Sequence, residues 1–588
     1  MVRGHGRAKK EPDTSKKIRI AFGIFMLLAA VILTRLFFLQ VVSGAYYKTQ
    51  SYRQQNLSQE KSPRRGNIYM REKSGKLITL AATKDGYLAF LNNRKLKNPE
   101  EALQKLSAII PVNRETFNKA AAKTADPYEV VAPKVERAEA EKIRALGIEG
   151  LEVAPEEWRS YPGKKLAAHV AGFVGYNGDR LEGRYGIERY FENMLKGQEG
   201  FAKTSATGGF LTQLGKNLLS PPTEGYDIVL TLEPSVQAFL ERILERAREQ
   251  YQPTGGGAVI IEPGTGKIIA MAAFPTFDPN AYEKTEELGV FINPLVESVF
   301  EFGSVFKPLT MASGLNERVV TPETTYFDSG KLTLDGYTIS NFDGKGRGRA
   351  TMQEVLEQSL NTGAAFVAQK LGKENLRKYF TDFGLGEKTG VTLPGEVAGQ
   401  IGNLKSRQDI EYATASFGQG ISVTPLEYAS ATAALANGGK LMKPYLVERI
   451  VRPGREDLVT KPEVVREVVR PETAETISRM LVQVVDKALL NGQVKSKNYT
   501  MAAKTGTAQI PLENAKGYSE EYLHSFMGYA PGFDTRFLVF MYIQKPQGVR
   551  YASYSLGPYF EELMHFLLTY YEVPPDRALP APAPTAGN

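Results

Sequence analysis

The sequence predicts an α+β multidomain protein with a single N-terminal transmembrane helix, and three observations lead there. The chain has 588 residues, well past the roughly 250–300 at which one hydrophobic core stops growing, so at least two folded units follow. Residues 20–42 (IAFGIFMLLAAVILTRLFFLQVV) form its one long, almost wholly apolar run. Beyond that run, helical and strand periodicities are interspersed without a fixed repeat. With 42% hydrophobic and 23% charged residues, the chain sits near the globular average, which excludes one that is mainly disordered or many times membrane-spanning. The absence of Cys removes disulfides, thiolate metal sites and cysteine nucleophiles, and four His leave little for a histidine metal cluster. A net charge of +8 is dilute over this length and does not point to nucleic acid.

Taken in order, residues 1–19 are a basic tail whose Arg3, Arg7, Lys9, Lys10, Lys16, Lys17 and Arg19 outweigh Glu11 and Asp13. This bias keeps the N-terminus cytoplasmic and sends everything past residue 43 outside. At about 1.5 Å per residue the run 20–42 reaches roughly 34 Å, enough to cross a bilayer. It is also longer than the apolar core of a cleaved signal peptide, the alternative that Ser43, Gly44 and Ala45 would serve. Arg35 lies inside the run, either contacting a polar group on a partner helix or snorkelling to the outer interface. Residues 43–220 read as a polar helical stalk, ended by Pro63, and a modest α+β domain. Helical patterns there include PEEALQKLSAII, and a strand-like piece is ITLAATKDGYLAFL. The stretch KNLLSPPTEGYD is a linker. Residues 221–572 then form a second domain, where IVLTL predicts a strand, VQAFLERILERAREQ a helix, and GGGAVIIEPGTGKIIAMAAF a hairpin turning at Pro263-Gly264-Thr265-Gly266. The Pro/Ala-rich residues 573–588 cannot bury a core and are expected to be disordered.

Chemistry concentrates in the second domain. In FEFGSVFKPLT, Pro308 is compatible with the first turn of a helix, which puts Ser304 and Lys307 at a helix N-terminus. The i, i+3 spacing places both on one face, where Lys307 can take the Ser304 proton, and the free N–H groups of the helix start face an oxyanion formed there. Ser-x-x-Lys alone is weak: Ser58 and Lys61 repeat it on the polar stalk, without an apolar helix behind them. In EVLEQSLNTGAAF, Ser359 can relay a proton and Asn361 can bind a substrate amide. Equally, both can be satisfying local backbone as a helix cap. Lys504, Thr505, Gly506 and Thr507 in YTMAAKTGTAQI offer a cation and two hydroxyls beside a Gly that admits close backbone approach, suited to a substrate carboxylate. Lys388-Thr389-Gly390 and Ser496-Lys497-Asn498 are looser copies.

In this order and at these separations, the three sets resemble the serine penicillin-recognising enzymes. GGGAVIIEPGTGKIIAMAAFPTFDPN, SFGQGISVTPLEYASATAALANGGKLMKPYLV and HSFMGYAP are similar to the penicillin-binding-protein transpeptidase domain. RRGNIY, RSYPGKKLAAHVAGFVG and GRYGIERYFENMLKGQEG are similar to the non-catalytic pedestal of its class B members. The resemblance covers roughly residues 20 to 570 and implies a pedestal followed by a transpeptidase domain with a central antiparallel sheet, flanking helices and an all-helical subdomain. No Glu-Asp-x-x-Phe-x-x-His-x-Gly run of the glycosyl-transferring class A members is present, so cross-linking without glycan polymerisation is implied. Phe302 stands where a Pro is usual, Ala503 where a Gly is usual and Met70 where an Asp is common; the first two leave the shape of the cleft open, not the chemistry. SFGQGISVTPLEYA leans to the division-type, FtsI-like branch over the elongation branch.

The resemblance further implies a serine acyl-enzyme mechanism without metal or organic cofactor. Ser304 attacks the D-Ala-D-Ala carbonyl of one stem peptide, D-Ala leaves, and the amine of a second stem peptide takes the acyl group. Lys307 is the base, which requires its pKa to fall by about 3 units from 10.4. The backbone N–H groups of Ser304 and Thr507 form the oxyanion hole, Thr505 and Thr507 hold the substrate carboxylate or its β-lactam counterpart, and Ser359 passes the proton to the leaving amine. The implied partners are peptidoglycan stem peptides, β-lactams, a SEDS-type glycosyltransferase and divisome proteins. The implied location is the cytoplasmic membrane with the catalytic domain outside. The competing readings are a carboxypeptidase or β-lactamase using water as acceptor, and a penicillin-binding sensor or scaffold without turnover.

Overall fold

The computed structural model describes residues 14–37, 63–123, 128–178, 180–197, 223–512, 515 and 517–577. It divides into two units, residues 1–62 and 63–588. In the first, one helix spans Thr14–Phe37. It begins ahead of the expected span and takes in its residues 20–37, while residues 38–42 and the expected stalk, with Ser58 and Lys61, lie outside the described residues. Among the described residues no helix is long and apolar enough to cross a membrane.

Among the described residues, the second unit is built on two large sheets, one of seven strands and one of five, with short two-stranded pairs beside them. In the first, the strand Ile68–Arg71 pairs with Leu77–Leu91 on one side and, in parallel, with Asp227–Leu230 on the other. Leu77–Leu91 is long enough to pair with both Glu129–Val135 and Leu151–Ser160. Val447–Val451 and Leu458–Val459 extend the opposite edge. One sheet therefore takes strands from both sides of residue 221. Its helices begin where the sequence supplies caps: Asn98 and Asn113 accept backbone N–H groups of Pro99–Ser107 and Arg114–Ala121.

The second sheet is antiparallel, in the order Ala502–Pro511, Tyr518–Ala530, Phe537–Gln544, Gly255–Glu262, Lys267–Phe274. Strand alternation sends Ala258, Ile260, Val539 and Met541 to one face, with the helices Pro234–Tyr251 and Gly557–Tyr570. Val259, Ile261, Phe540 and Tyr542 go to the other, against the helix Pro425–Ala436, all of whose residues are buried. Two-sided burial explains why these strands read as continuous apolar runs. The sequence-based expectation of an all-helical subdomain needs correction. Its helices are joined by two short antiparallel pairs, Thr325–Asp328 with Gly348–Thr351 and Lys331–Leu334 with Tyr337–Ser340. Their turns at Gly330 and Gly336 adopt positive φ of 83° and 82°, a conformation glycine tolerates best. The C-terminal residues 573–577 also differ from the expected disordered tail. Val573 O accepts from Tyr499 Oη, and Arg577 Nε donates to Tyr499 O.

Candidate active site

The segment before the helix Lys307–Asn316 is a 3-10 turn, Gly303–Phe306, which presents Ser304. Side-chain and main-chain contacts hold that turn at both ends. Gly303 adopts φ 66°, and a Cβ there would sit 2.9 Å from Ala508 Cβ. Gly303 N donates to Gly418 O, Ser525 Oγ donates to Phe302 O at 2.8 Å, and Tyr428 Oη donates to Val305 O at 2.6 Å. Phe302 is fully buried and packs edge-on against Phe540 at 4.8 Å, so the residue standing in for the usual Pro anchors the turn by its ring. Ala503 faces the opposite core, with Phe560.

Lys307, 1% exposed, lies one helical turn on. Its Nζ is 2.9 Å from Ser304 Oγ, 2.6 Å from Ser359 O and 3.1 Å from Ser359 Oγ. Three oxygen atoms thus surround the amine, and once neutral it can donate both N–H groups to Ser359 and turn its lone pair to the Ser304 hydroxyl. Lys504, 2% exposed, donates to Ser359 Oγ at 3.0 Å and to Thr505 O at 3.0 Å. Burial, and next the positive charge of Lys504, hold the Lys307 amine well below the ordinary lysine range. Burial brings Lys504 down to about 7. Ser359 therefore joins the two lysines. Its φ of 55°, uncommon for a residue with a side chain, belongs to the turn between the helices Met352–Glu357 and Asn361–Leu371.

Lys504, Thr505, Gly506 and Thr507 lie on the edge strand Ala502–Pro511, which runs past the Ser304 turn. An edge strand keeps alternate backbone N–H groups out of the sheet and available to a ligand. A Cβ at Gly506 would come within 2.3 Å of both Phe302 O and Ser525 Oγ, so only glycine lets strand and turn approach this closely. Thr507 Oγ1 accepts from Ala552 N at 3.1 Å. Thus Ser304, Lys307, Ser359 and Lys504 form one hydrogen-bonded chain. Asn361 borders it, but its Nδ2 donates to Ser340 O at 2.8 Å.

The structure separates these residues from the look-alikes. Thr389 and Gly390 are bound by the Glu396 carboxylate in a loop of their own, and Ser496 Oγ accepts from Asn498 N and Tyr499 N as a local turn. The reading of Ser359 as a helix cap also gives way. The helix that follows it starts after Leu360 without a side-chain cap from that residue, and Ser359 Oγ faces the lysines. Residue-by-residue reading did not single out Ser525, Gly418 and Tyr428, which shape the nucleophile turn from 223, 115 and 123 residues away. Their segments were legible; their contacts, being long-range, carried no local signal.

The remaining quoted segments meet in the first sheet region. Glu188, fully buried, is paired with Arg65 and Arg159, each at 2.6 Å. Burial alone would raise the Glu188 carboxyl, but Arg159 and Arg65 outweigh it and hold it below the usual carboxylate range. Met70, the third departure from the family pattern, is buried in the same core.

Two family models match the chain: the penicillin binding protein transpeptidase domain over residues 256–565 and the penicillin-binding protein dimerisation domain over residues 60–230. Stage V sporulation protein D of Bacillus subtilis is 32% identical over 565 residues, covering 95% of this chain and 85% of that protein. Peptidoglycan D,D-transpeptidase FtsI of Buchnera aphidicola is 26% identical over 581 residues, covering 97% and 98%. In fold, the chain is similar to penicillin binding protein 3 of Mycobacterium tuberculosis complexed with aztreonam, with a TM-score of 0.67 and 24% identity over 88% of this chain and 98% of that one. With both domains matched along nearly its whole length, the chain belongs to the class B penicillin-binding proteins.

Proposed function

We propose that the protein cross-links peptidoglycan stem peptides as a D,D-transpeptidase, with Ser304 as nucleophile and Lys307 as its base, and that β-lactams acylate the same serine. The observation that carries this reading is the buried Lys307 amine 2.9 Å from Ser304 Oγ. Ser304 Oγ attacks the penultimate D-Ala carbonyl as its proton passes to Lys307 Nζ. The developing oxyanion is stabilised by the N–H groups of Ser304 and Thr507. Ser359, which touches both lysines, passes the proton to the departing D-Ala amine. Thr505 and Thr507 bind the terminal carboxylate, and Lys504 supplies positive charge beneath them. Asn361 orients the donor amide. The amine of a second stem peptide then attacks the acyl-enzyme, the proton path runs in reverse, and Ser304 is regenerated.

Residues 20–42 serve as a membrane anchor in this reading. The exposure of Phe22, Phe25, Leu28, Ile32 and Leu33 on the helix Thr14–Phe37 and the basic residues ahead of them support it. Residues 43–220 serve as stalk and pedestal, and residues 221–572 as the transpeptidase domain. A septal role, with a SEDS-type glycosyltransferase and divisome proteins as partners, is supported by the division-type motif SFGQGISVTPLEYA. Labelling of the full chain with a fluorescent penicillin tests the nucleophile. Parent and Ser58→Ala label equally, Ser304→Ala does not label, and labelling that survives Ser304→Ala contradicts the proposal.

A further inference from the structure

The Ser359 turn has a support that neither its own sequence nor the three motif sets supply. The helix Asn361–Leu371 opens at Leu360, which has no oxygen in its side chain to cap it. A helix start carries orphan N–H groups that need an acceptor, and here the acceptor comes from 20 residues upstream. Asn341 Oδ1 accepts from Asn361 N at 3.0 Å and Thr362 N at 3.3 Å. The Asn341 amide is itself held by Asp328, since its Nδ2 donates to Asp328 Oδ1 at 3.1 Å and Oδ2 at 2.9 Å. Asp328 is buried, at 1% exposure, as is Asn341, at 3%. The carboxylate is fully satisfied, accepting also from Gly330 N, Thr362 Oγ1 and Arg347 N. On the other side of the turn, Arg347 Nε donates to Gln358 Oε1 at 2.9 Å, one residue before Ser359. The same short loop thus grips the turn at residues 358, 361 and 362, with the positive-φ Ser359 between them.

From this geometry we infer that Asn341, oriented by Asp328, is a positioning residue for acylation: it caps the helix behind Ser359 and thereby fixes the oxygen atoms that hold Lys307 and Lys504. A buried carboxylate supplied with four donors is costly to assemble unless it specifies one arrangement. The arrangement it specifies here is the one that delivers Ser359 to the lysines. The inference rests on the proposed roles of Ser304, Lys307 and Ser359.

The test is the acylation rate of the full-length protein by fluorescent penicillin as a function of penicillin concentration, with Ser304→Ala as control. Asn341→Ala is expected to lower the rate constant at saturating penicillin by on the order of 10- to 100-fold, since small misplacements of a proton-transfer group cost that much. The half-saturating concentration is expected to stay within about twofold, because the groups that bind the carboxylate lie on another strand. A partly unfolded population would reduce the labelled fraction instead of the rate constant. Where Asn341→Ala does not fold, a second pair of variants decides. Asn341→Asp sets a second carboxylate against Asp328 and slows acylation. Asp328→Asn combined with Asn341→Asp keeps one charge, retains an acceptor for the helix and acylates at least about fivefold faster than Asn341→Asp alone. An Asn341→Ala protein that acylates at the parent rate, or a double variant no faster than Asn341→Asp, overturns the inference while the Ser304 assignment stands. Labelling of Ser304→Ala overturns the assignment itself.

Discussion

Two lysines buried within reach of one serine hydroxyl cannot both carry a charge cheaply, and the site uses that conflict. Ser359 Oγ receives Lys307 Nζ at 3.1 Å and Lys504 Nζ at 3.0 Å, so protonation of one lysine disfavours protonation of the other. Loss of Lys307 removes the base, and Lys307→Ala is expected to slow acylation by about 10² to 10⁴-fold, read from the penicillin labelling rate. Gly506→Ala tests the close approach of strand and nucleophile turn. The new Cβ would meet Phe302 O and Ser525 Oγ at 2.3 Å, so the turn must shift. The variant is expected to fold with a lowered melting temperature and to acylate more slowly than the parent. Parent-like acylation would show that the approach is not needed.

At the level of elements, the nucleophile turn depends on oxygen and nitrogen atoms delivered by distant strands and helices. Ser525, on the strand Tyr518–Ala530, donates to Phe302 O. Ser525→Ala leaves that buried carbonyl without its side-chain donor, a loss of about 1–3 kcal/mol. The expected outcome is a lower urea midpoint together with slower acylation; an unchanged midpoint would show that another donor replaces it. The elements themselves were largely legible. The turn residues Pro263-Gly264-Thr265-Gly266 marked the hairpin Gly255–Glu262/Lys267–Phe274, and the amphipathic pattern marked the helix Pro234–Tyr251, because both signals are local. The short strand pairs beside the helices were missed. Segments such as Lys331–Leu334, with alternating exposed and half-buried residues, are too short to show a period. The motif residues Ser304, Lys307, Ser359 and Lys504 were legible through family resemblance, whereas the Asn341 cap was not. It acts on a helix start 20 residues away, and an Asn in a loop has many uses.

Across the whole molecule, the membership of one sheet is what the sequence conceals most. Asp227–Leu230 pairs with Ile68–Arg71 across about 160 residues, a long-range pairing that no local pattern announces. That region is tied together by Glu188 between Arg65 and Arg159. Glu188→Ala leaves the buried Arg159 without its carboxylate partner and Arg65 with Glu192 alone, and the expected loss of about 3–5 kcal/mol is measurable as a lower urea midpoint. Two buried histidines predict the acid response. Burial lowers His169 and His524 to about 4 each, against about 6.5 in an unfolded chain. Between those values the unfolded chain binds more protons, so stability falls as pH drops from about 6.5 to 4. His524→Asn, which keeps groups for Ser555 Oγ and Arg550 O, is expected to flatten that fall; an equal slope in the variant would contradict it. The convergence of three distant segments on one neutral amine is tested most directly by the pH profile of penicillin acylation in the parent and in Lys504→Gln. The parent rate is predicted to decline on the acid side as Lys307 is protonated, and removing the Lys504 charge is predicted to move that decline to higher pH. A parent rate that stays flat down to about pH 5, or a decline at the same pH in both proteins, would contradict it.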